Sequence, residues 1–204
     1  MLKIEKFCTP SFEQWKMVLR GMRNPMNSWD KSDTDRTVGR NDLNLAVSLA
    51  KAGATHAKYR RMLPVWVDIL APLYWWKEFD TYKVGTVANS CSTMHRIQAK
   101  EFTLDDFSHE HLFDTDERGY EEGLRYTIFD LNAAREKFLE TDDKDYWWQM
   151  IQLLPTSYNQ KRTVMLNYQV LHDIYRDRRD HKLDEWHTFC DWIETLPYSE
   201  VITV

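Results

Sequence analysis

Several stretches of this chain hold residue types whose spacing suits ligand chemistry. Near the C-terminus, Asn167, Val170, Leu171, Ile174 and Arg178 recur at helical intervals. At 100° per residue they share one helix face, so an apolar stripe is flanked by an amide and a guanidinium. A polar group on a core-facing stripe needs a partner, because an unpaired one costs roughly 1–3 kcal/mol. For Arg178 that partner is either a protein carboxylate or a bound anion, and a planar guanidinium fork matches phosphate well. Arg176 and Arg179 point elsewhere and read as solvated.

A second stretch, Ala71 to Lys83, is rich in aromatics and carries Lys77 and Lys83. It leads into a turn of small residues, Val84 to Ser92. Backbone N–H groups beside Thr86, Ser90, Ser92 and Thr93 can form the concave donor set that cradles anions. The plain alternative packs the aromatics into the core and leaves the turn a mere connection. Cys91 and His95, four apart, would make a nucleophile and a base on one helix face, but the segment reads as strand or turn. His109-Glu110-His111 alternates as metal ligands can, within an acidic stretch that reads as a solvated loop.

The elements that must position these residues follow from periodicity and punctuation. A short strand is expected over Leu2 to Phe7. A helix capped by Ser11 follows to Met22, with Phe12, Trp15, Val18, Leu19 and Met22 at helical spacing. Asn24 to Gly39 reads as a surface loop. Asn41 or Asp42 opens a second helix that stops at Gly53. Leu63 to Leu70 alternates as a strand, broken by Ala71-Pro72, and an aromatic helix runs from Leu73 to Tyr82. Cys91 to Ile97 is expected as a strand and Thr103 to Glu117 as a loop. Helices are expected over Tyr120 to Leu139 and Asp143 to Leu154, with a loop from Pro155 to Lys161. Two more run from Thr163 to Arg179 and from Leu183 to Leu196. The last carries Trp186, Phe189, Trp192, Ile193 and Leu196 at core or subunit-interface spacing. Short strands among longer helices imply an α+β fold, a small antiparallel or mixed β-sheet packed with several α-helices.

Composition bounds the partners. At 204 residues the chain suits a single domain, residues 1–204, with a substantial core. Nine Trp, ten Tyr and nine Phe supply bulky apolar surface for packing or stacking. The net charge is −5 and the basic residues are scattered, so no concentrated field exists for nucleic acid; one phosphate-sized pocket remains compatible. Three dispersed cysteines fit a reducing compartment. No apolar run approaches the ~20 residues that span a bilayer, which excludes a membrane helix. Met-Leu-Lys-Ile-Glu-Lys lacks the apolar core of a signal peptide, so a cytoplasmic location is expected.

An ordered set of fragments resembles the flavin-dependent thymidylate synthases from end to end. That family carries a strand, Ala-Pro, a helix with Arg-Gln-Trp, an Arg-His-Arg-x-x-Ser signature and an Asn-Glu-x-Ser-x-Arg-Tyr turn. Here Ala71-Pro72, Lys77-Glu78-Phe79, Thr81-Tyr82-Lys83, Thr86 and Asn89-Ser90-Cys91-Ser92-Thr93-Met94-His95 follow that order with one inserted residue. Downstream, Leu154-Pro155 and Asn167 through Ile174 to Arg178 resemble the family's Leu-Pro and its Asn-x-Arg-x-Leu helix. Met22-Arg23 through Ser28-Trp29-Asp30 resembles its Ala-Arg-x-Ser-Phe element.

The resemblance implies a homotetramer with sites built from several chains. It implies FAD as cofactor, reduced by NADPH, and methylene transfer from methylenetetrahydrofolate to dUMP or a related pyrimidine nucleotide. It assigns Arg178, Ser92, Thr93, Glu78 and Lys77 to the nucleotide. It assigns Thr81, Tyr82, Lys83, Thr86, Ser90, Asn167, Gln169 and Asp173 to the flavin. The departures are specific. Arg-His-Arg has become Thr81-Tyr82-Lys83, the turn's glutamate is Ser90 and its arginine Met94, the arginine before Leu-Pro is Ile151, and the helix arginine is Gln169. Losing two charged hydrogen bonds to a phosphate costs about 3–6 kcal/mol, or roughly two to four decades of affinity, which Lys77, Arg60 or Arg61 would have to offset. Three outcomes therefore stand open: an active FAD-dependent enzyme; a catalytically degenerate homologue that keeps the fold and oligomer as a nucleotide- or protein-binding module; or a different flavin or nucleotide chemistry in the same cleft, with Tyr82 and Lys83 in new roles.

Overall fold

The computed structural model describes all residues from 1 to 204. Its strands are β1 (Lys3–Cys8), β2 (Pro64–Pro72), β3 (Val87–Ser90) and β4 (Asn159–Asn167). Its helices are α1 (Phe12–Arg23), α2 (Arg40–Lys51), α3 (Leu73–Phe79), α4 (Tyr120–Thr141), α5 (Lys144–Leu153), α6 (Tyr168–Arg178) and α7 (Asp184–Glu194). The strands form one antiparallel sheet in the order β1-β2-β4-β3, so the α+β expectation holds. The β2–β4 register is set at both ends: the Tyr168 amide donates to the Leu63 carbonyl at 3.1 Å, and the Leu73 amide to the Tyr158 carbonyl at 3.0 Å. No helix is long and apolar enough to cross a membrane.

Local chemistry explains the element boundaries. Ser11 and Gln14 form a reciprocal capping box at the start of α1 (Gln14 amide to Ser11 Oγ 3.3 Å; Ser11 amide to Gln14 Oε1 2.8 Å). Trp15, Val18 and Leu19 face inward from that helix. α2 starts at Arg40, earlier than Asn41 or Asp42, because its cap is remote. The Asp33 carboxylate accepts from the Asn41 amide at 2.8 Å and from the Asp42 amide at 3.0 Å. Gly39 is required there, since a Cβ would lie 2.1 Å from Asp33 Oδ1. Gly53 stops the helix as expected, with φ 101°.

Four expectations need correction. β2 runs through Ala71-Pro72 instead of breaking there; Pro72 is extended (φ −68°, ψ 152°) and serves as N-cap of α3. The strand in the 84–97 region is Val87–Ser90, while Cys91 to Ile97 is turn. Every β3 residue is exposed, so no alternation of buried side chains announced that strand. Asn159 to Lys161, expected as loop, begin β4. Finally, the helix expected from Thr163 starts only at Tyr168. Thr163 to Leu166 pair as strand and bury Val164 and Leu166. Asn167 is therefore a cap and not part of the helical stripe: its backbone is extended (φ −135°) and Oδ1 accepts from the Gln169 and Val170 amides at 3.0 and 3.1 Å.

The chain divides into two compact units. The first comprises Met1–Lys3, Leu70–Asp80 and Ser90–Arg162; the second Ile4–Ile69, Thr81–Asn89 and Thr163–Val204. In the first, α4 and α5 bury Leu124, Ile128, Leu131, Ala134 and Met150 against Ile97, Phe102 and Phe107. The acidic 103–117 loop is thus anchored at its start, where Asn132 clamps the Phe102 backbone from both sides (2.8 and 2.9 Å). In the second, Trp15, Val65, Val67, Tyr168, Leu171, Ile174, Trp186, Phe189 and Ile193 are buried, so the aromatic tail is core.

Candidate functional site

The expected ligand residues fall into two groups, one in each unit. In the second unit the organising feature is Arg178. Its Nε donates to the Tyr82 hydroxyl at 3.0 Å, and its guanidinium carbon lies 5.0 Å from the Trp186 ring centroid and 5.7 Å from that of Tyr82. The two rings meet edge to face at 6.2 Å. Trp186 is fully buried on α7, so the cation is pinned over fixed π-faces and cannot sweep freely. Burial pushes the Tyr82 phenol up, and the Arg178 guanidinium opposes that without overcoming it. Tyr82 is therefore neutral near pH 7, with its own O–H left to donate.

The chain between Tyr82 and β3 turns tightly. Thr86 Oγ1 donates to the Tyr82 carbonyl at 3.1 Å and the Thr86 amide to the Lys83 carbonyl at 3.2 Å. Gly85 has φ 90°, and a Cβ there would sit 3.0 Å from Val170 Cγ2 and 3.4 Å from Asn167 Nδ2. The turn thus lies against the start of α6. Thr81 and Lys83 are exposed beside it. On α6, Gln169 Nε2 donates to Asp173 Oδ1 at 3.1 Å, while Gln169 Oε1 is buried without a hydrogen-bond partner. An orphaned acceptor of this kind is costly unless something donates to it.

The resemblance assigns these groups to a flavin. Asn167 Oδ1 is committed to its cap, leaving Nδ2–H as donor, and Gln169 Oε1 supplies an acceptor. A donor amide and an acceptor amide match the hydrogen-bonding edge of a flavin ring in chemical type, and Lys83 is the one cation among residues 81–83.

In the first unit, Ser90 ends β3 and Ser92 and Thr93 form a bend. The Cys91 amide is tied to the Lys161 carbonyl at 2.9 Å, and Ser92 Oγ accepts from the His95 amide at 3.3 Å. The Ser92 and Thr93 amides donate to no protein acceptor. On α3, Lys77 is exposed and Glu78 half-buried, whereas Trp75, Trp76 and Phe79 are buried. Their rings pack at 4.9 to 5.4 Å, so these aromatics are core, as the plain reading held.

Sequence reasoning missed a polar cluster behind the bend. Gln160 Nε2 donates to Thr93 Oγ1 (3.0 Å) and the Cys91 carbonyl (3.1 Å), and its Oε1 accepts from Arg162 Nε (2.9 Å). Arg162 Nη1 pairs with Asp80 Oδ1 at 3.2 Å, and the guanidinium lies 4.3 Å from the Trp76 ring centroid. The signal was the i, i+2 spacing of Gln160 and Arg162, which places both on one face of a strand. Taking Pro155 to Lys161 as a loop hid it.

The other candidates resolve simply. The Cys91–His95 segment is turn, so a spacing of four puts them on no common face. His109 Nδ1 contacts the Phe107 carbonyl at 2.9 Å, and no group of three or more His, Cys, Asp or Glu is gathered to hold a metal. Arg60 is 1% exposed and its Nε donates to the Val201 carbonyl at 2.5 Å, so it acts inside the core. Arg61 is exposed.

No family model and no curated protein sequence matches this chain. Solved structures do. The flavin-dependent thymidylate synthase ThyX from Helicobacter pylori, complexed with FAD and dUMP, superposes with a TM-score of 0.71 at 14% identity, covering 99% of this chain and 97% of that one. A second structure of the same enzyme with FAD and dUMP gives 0.70 at 15% identity, with coverages of 99% and 96%. The UMP/dUMP methylase PolB from Streptomyces cacaoi, bound with 5-Br dUMP, gives 0.63 at 15% identity, with coverages of 98% and 92%. Over essentially its whole length, the chain takes the fold of the flavin-dependent thymidylate synthases.

Proposed function

We propose that this protein binds a pyrimidine nucleoside monophosphate of the dUMP type together with FAD, and that its reaction is methylene transfer and reduction on that nucleotide. The observation that carries the reading is the extent of the fold likeness: 99% of the chain, at a TM-score of 0.71, to a structure holding both FAD and dUMP. Two local features support it. The Ser92 and Thr93 amides stand free to meet a phosphate, and the Gln169 acceptor is buried without a donor.

In this reading Ser92 and Thr93 receive the phosphate, Lys77 and Glu78 on α3 contact the nucleotide, and Arg178 serves the nucleotide as well. Asn167 and Gln169 bond the flavin edge, with Asp173 holding the Gln169 amide in orientation. Thr81, Tyr82, Lys83, Thr86 and Ser90 serve the flavin's ribityl chain and phosphates. When bound, a reduced flavin supplies the hydride that reduces the transferred methylene. NADPH and methylenetetrahydrofolate are the co-substrates, and the working form is a homotetramer.

A second reading, nucleotide binding without turnover, is favoured by one observation: Arg178 Nε is already engaged by Tyr82, where the family signature carries a histidine. The test is an absorbance spectrum of purified protein with and without added FAD, followed by dUMP titration of the wild type and Arg178→Ala. Flavin uptake and a roughly ten- to hundred-fold loss of dUMP affinity in the variant are expected, the cost of one charged hydrogen-bonding group. Protein that takes up neither FAD nor dUMP at high concentration would overturn the proposal; dUMP binding without turnover selects the second reading.

A further inference from the structure

We infer that Arg162 on β4 is the cation that reads the ligand phosphate at the Ser92–Thr93 bend; this rests on the nucleotide-binding reading above. The bend needs such a group. Its own sequence has Met94 and Ile151 where the resembling family has arginines, so free amides alone would have to hold a dianion.

Arg162 is built for the task. It is connected to the bend through a single amide: Gln160 accepts from Arg162 Nε at 2.9 Å and donates to Thr93 Oγ1 at 3.0 Å and the Cys91 carbonyl at 3.1 Å. The guanidinium carbon lies over the Trp76 ring, 4.3 Å from its centroid, and the side chain is 17% exposed, so little rotamer freedom is left to lose on binding. Trp76 is itself fixed, its Nε1 donating to the Gln160 carbonyl at 2.8 Å. Of five guanidinium N–H groups, Nε and Nη1 each spend one on protein, while Nη2 has no protein acceptor.

Charge balance points the same way. Asp80 Oδ1 lies 3.2 Å from Arg162 Nη1, and the Asp80 side chain is 40% exposed. Burial works against the Arg162 charge, and Asp80 only partly offsets it. The cluster therefore has an unmet demand for negative charge beside two unpaired backbone donors. A phosphate satisfies both, with the guanidinium fork and the amides as donors.

The test compares dUMP with 2′-deoxyuridine, which lacks the phosphate, by calorimetric titration of wild type, Arg162→Gln and Arg162→Lys. Arg162→Gln should weaken dUMP about ten- to hundred-fold and leave deoxyuridine unchanged, with Arg162→Lys between. Equal losses for both ligands would mark Arg162 as structural only and overturn the inference, as would unchanged dUMP binding. If the wild type binds neither nucleotide, the functional reading fails by itself. Inorganic phosphate then decides for Arg162, through the NMR shifts of the Ser92 and Thr93 amides. Shifts in wild type that vanish in Arg162→Gln sustain the assignment, and shifts absent from both, or identical in both, overturn it.

Discussion

Asp42→Ala should unfold this protein far more readily than its position on a surface helix suggests. The carboxylate is 0% exposed and its partner Arg23 6%. Asp42 Oδ1 accepts from Arg23 Nε and Nη2, both at 2.6 Å, and Oδ2 accepts from the Ser32 and Thr34 hydroxyls, both at 2.6 Å. Burial works to raise the Asp42 carboxyl, but the two hydroxyls and the guanidinium together outweigh it and hold the group below the usual carboxylate range. Deleting it strands a buried guanidinium, which costs about 3–5 kcal/mol. For 204 residues the unfolding entropy is about 0.4 kcal/mol per degree, so the melting temperature should drop by roughly 7–12 °C. Calorimetry or circular dichroism at pH 7 measures this. The pair's contribution is present above the unfolded carboxyl's pKa and lost as pH falls through the depressed folded one, so the deficit should persist throughout mild acid. Arg23→Met combined with Asp42→Ala should recover at least half, because no charge is then left unpaired. A single-variant loss under about 1 kcal/mol, or a double variant worse than the single, would refute the argument.

Two further outcomes follow from particular side chains. His172 Nδ1 is 2.7 Å from the Ile202 carbonyl; burial, helped by nearby Arg60, holds the imidazole below its ordinary pKa against the pull of that carbonyl. Its stabilisation is therefore complete above about pH 6.5 and declines as pH falls, because the unfolded chain takes up the proton first. Urea midpoints measured between pH 7.5 and 5 should fall more steeply for wild type than for His172→Gln, and superimposable slopes would count against this. Gly85→Ala forces a side chain to φ 90° and within 3.0 Å of Val170 Cγ2. A cost of about 1–3 kcal/mol, seen as a lowered melting temperature, is expected, and a neutral substitution would show that the turn relaxes freely.

Much of the architecture was legible in one chain of letters. The Ser11 cap, the alternation of Val65, Val67 and Ile69, and the helical spacing of Trp186, Phe189 and Ile193 each record a local rule, and the structure obeys them. The ordered fragments from Ala71-Pro72 to Arg178 likewise anticipated the shared fold. What failed shares one cause. Residues 164–166 carry apolar side chains that suit a helix or a buried strand equally, and only pairing with β2 selects the strand. β3 buries nothing, and the cap of α2 comes from Asp33, outside the helix.

The residue types available for ligand chemistry, and the helices that carry them, were thus determined by local sequence. Tertiary structure alone decided their roles. It made Asn167 a cap, sent Arg60 into the core under the Val201 carbonyl, laid Arg178 against Tyr82 and Trp186, and brought Arg162 through Gln160 to the Thr93 bend. Those partners lie up to 141 residues apart. Periodicity reports which face of an element is apolar, but a hydrogen bond depends on which distant atom the folded chain delivers within about 3 Å of it.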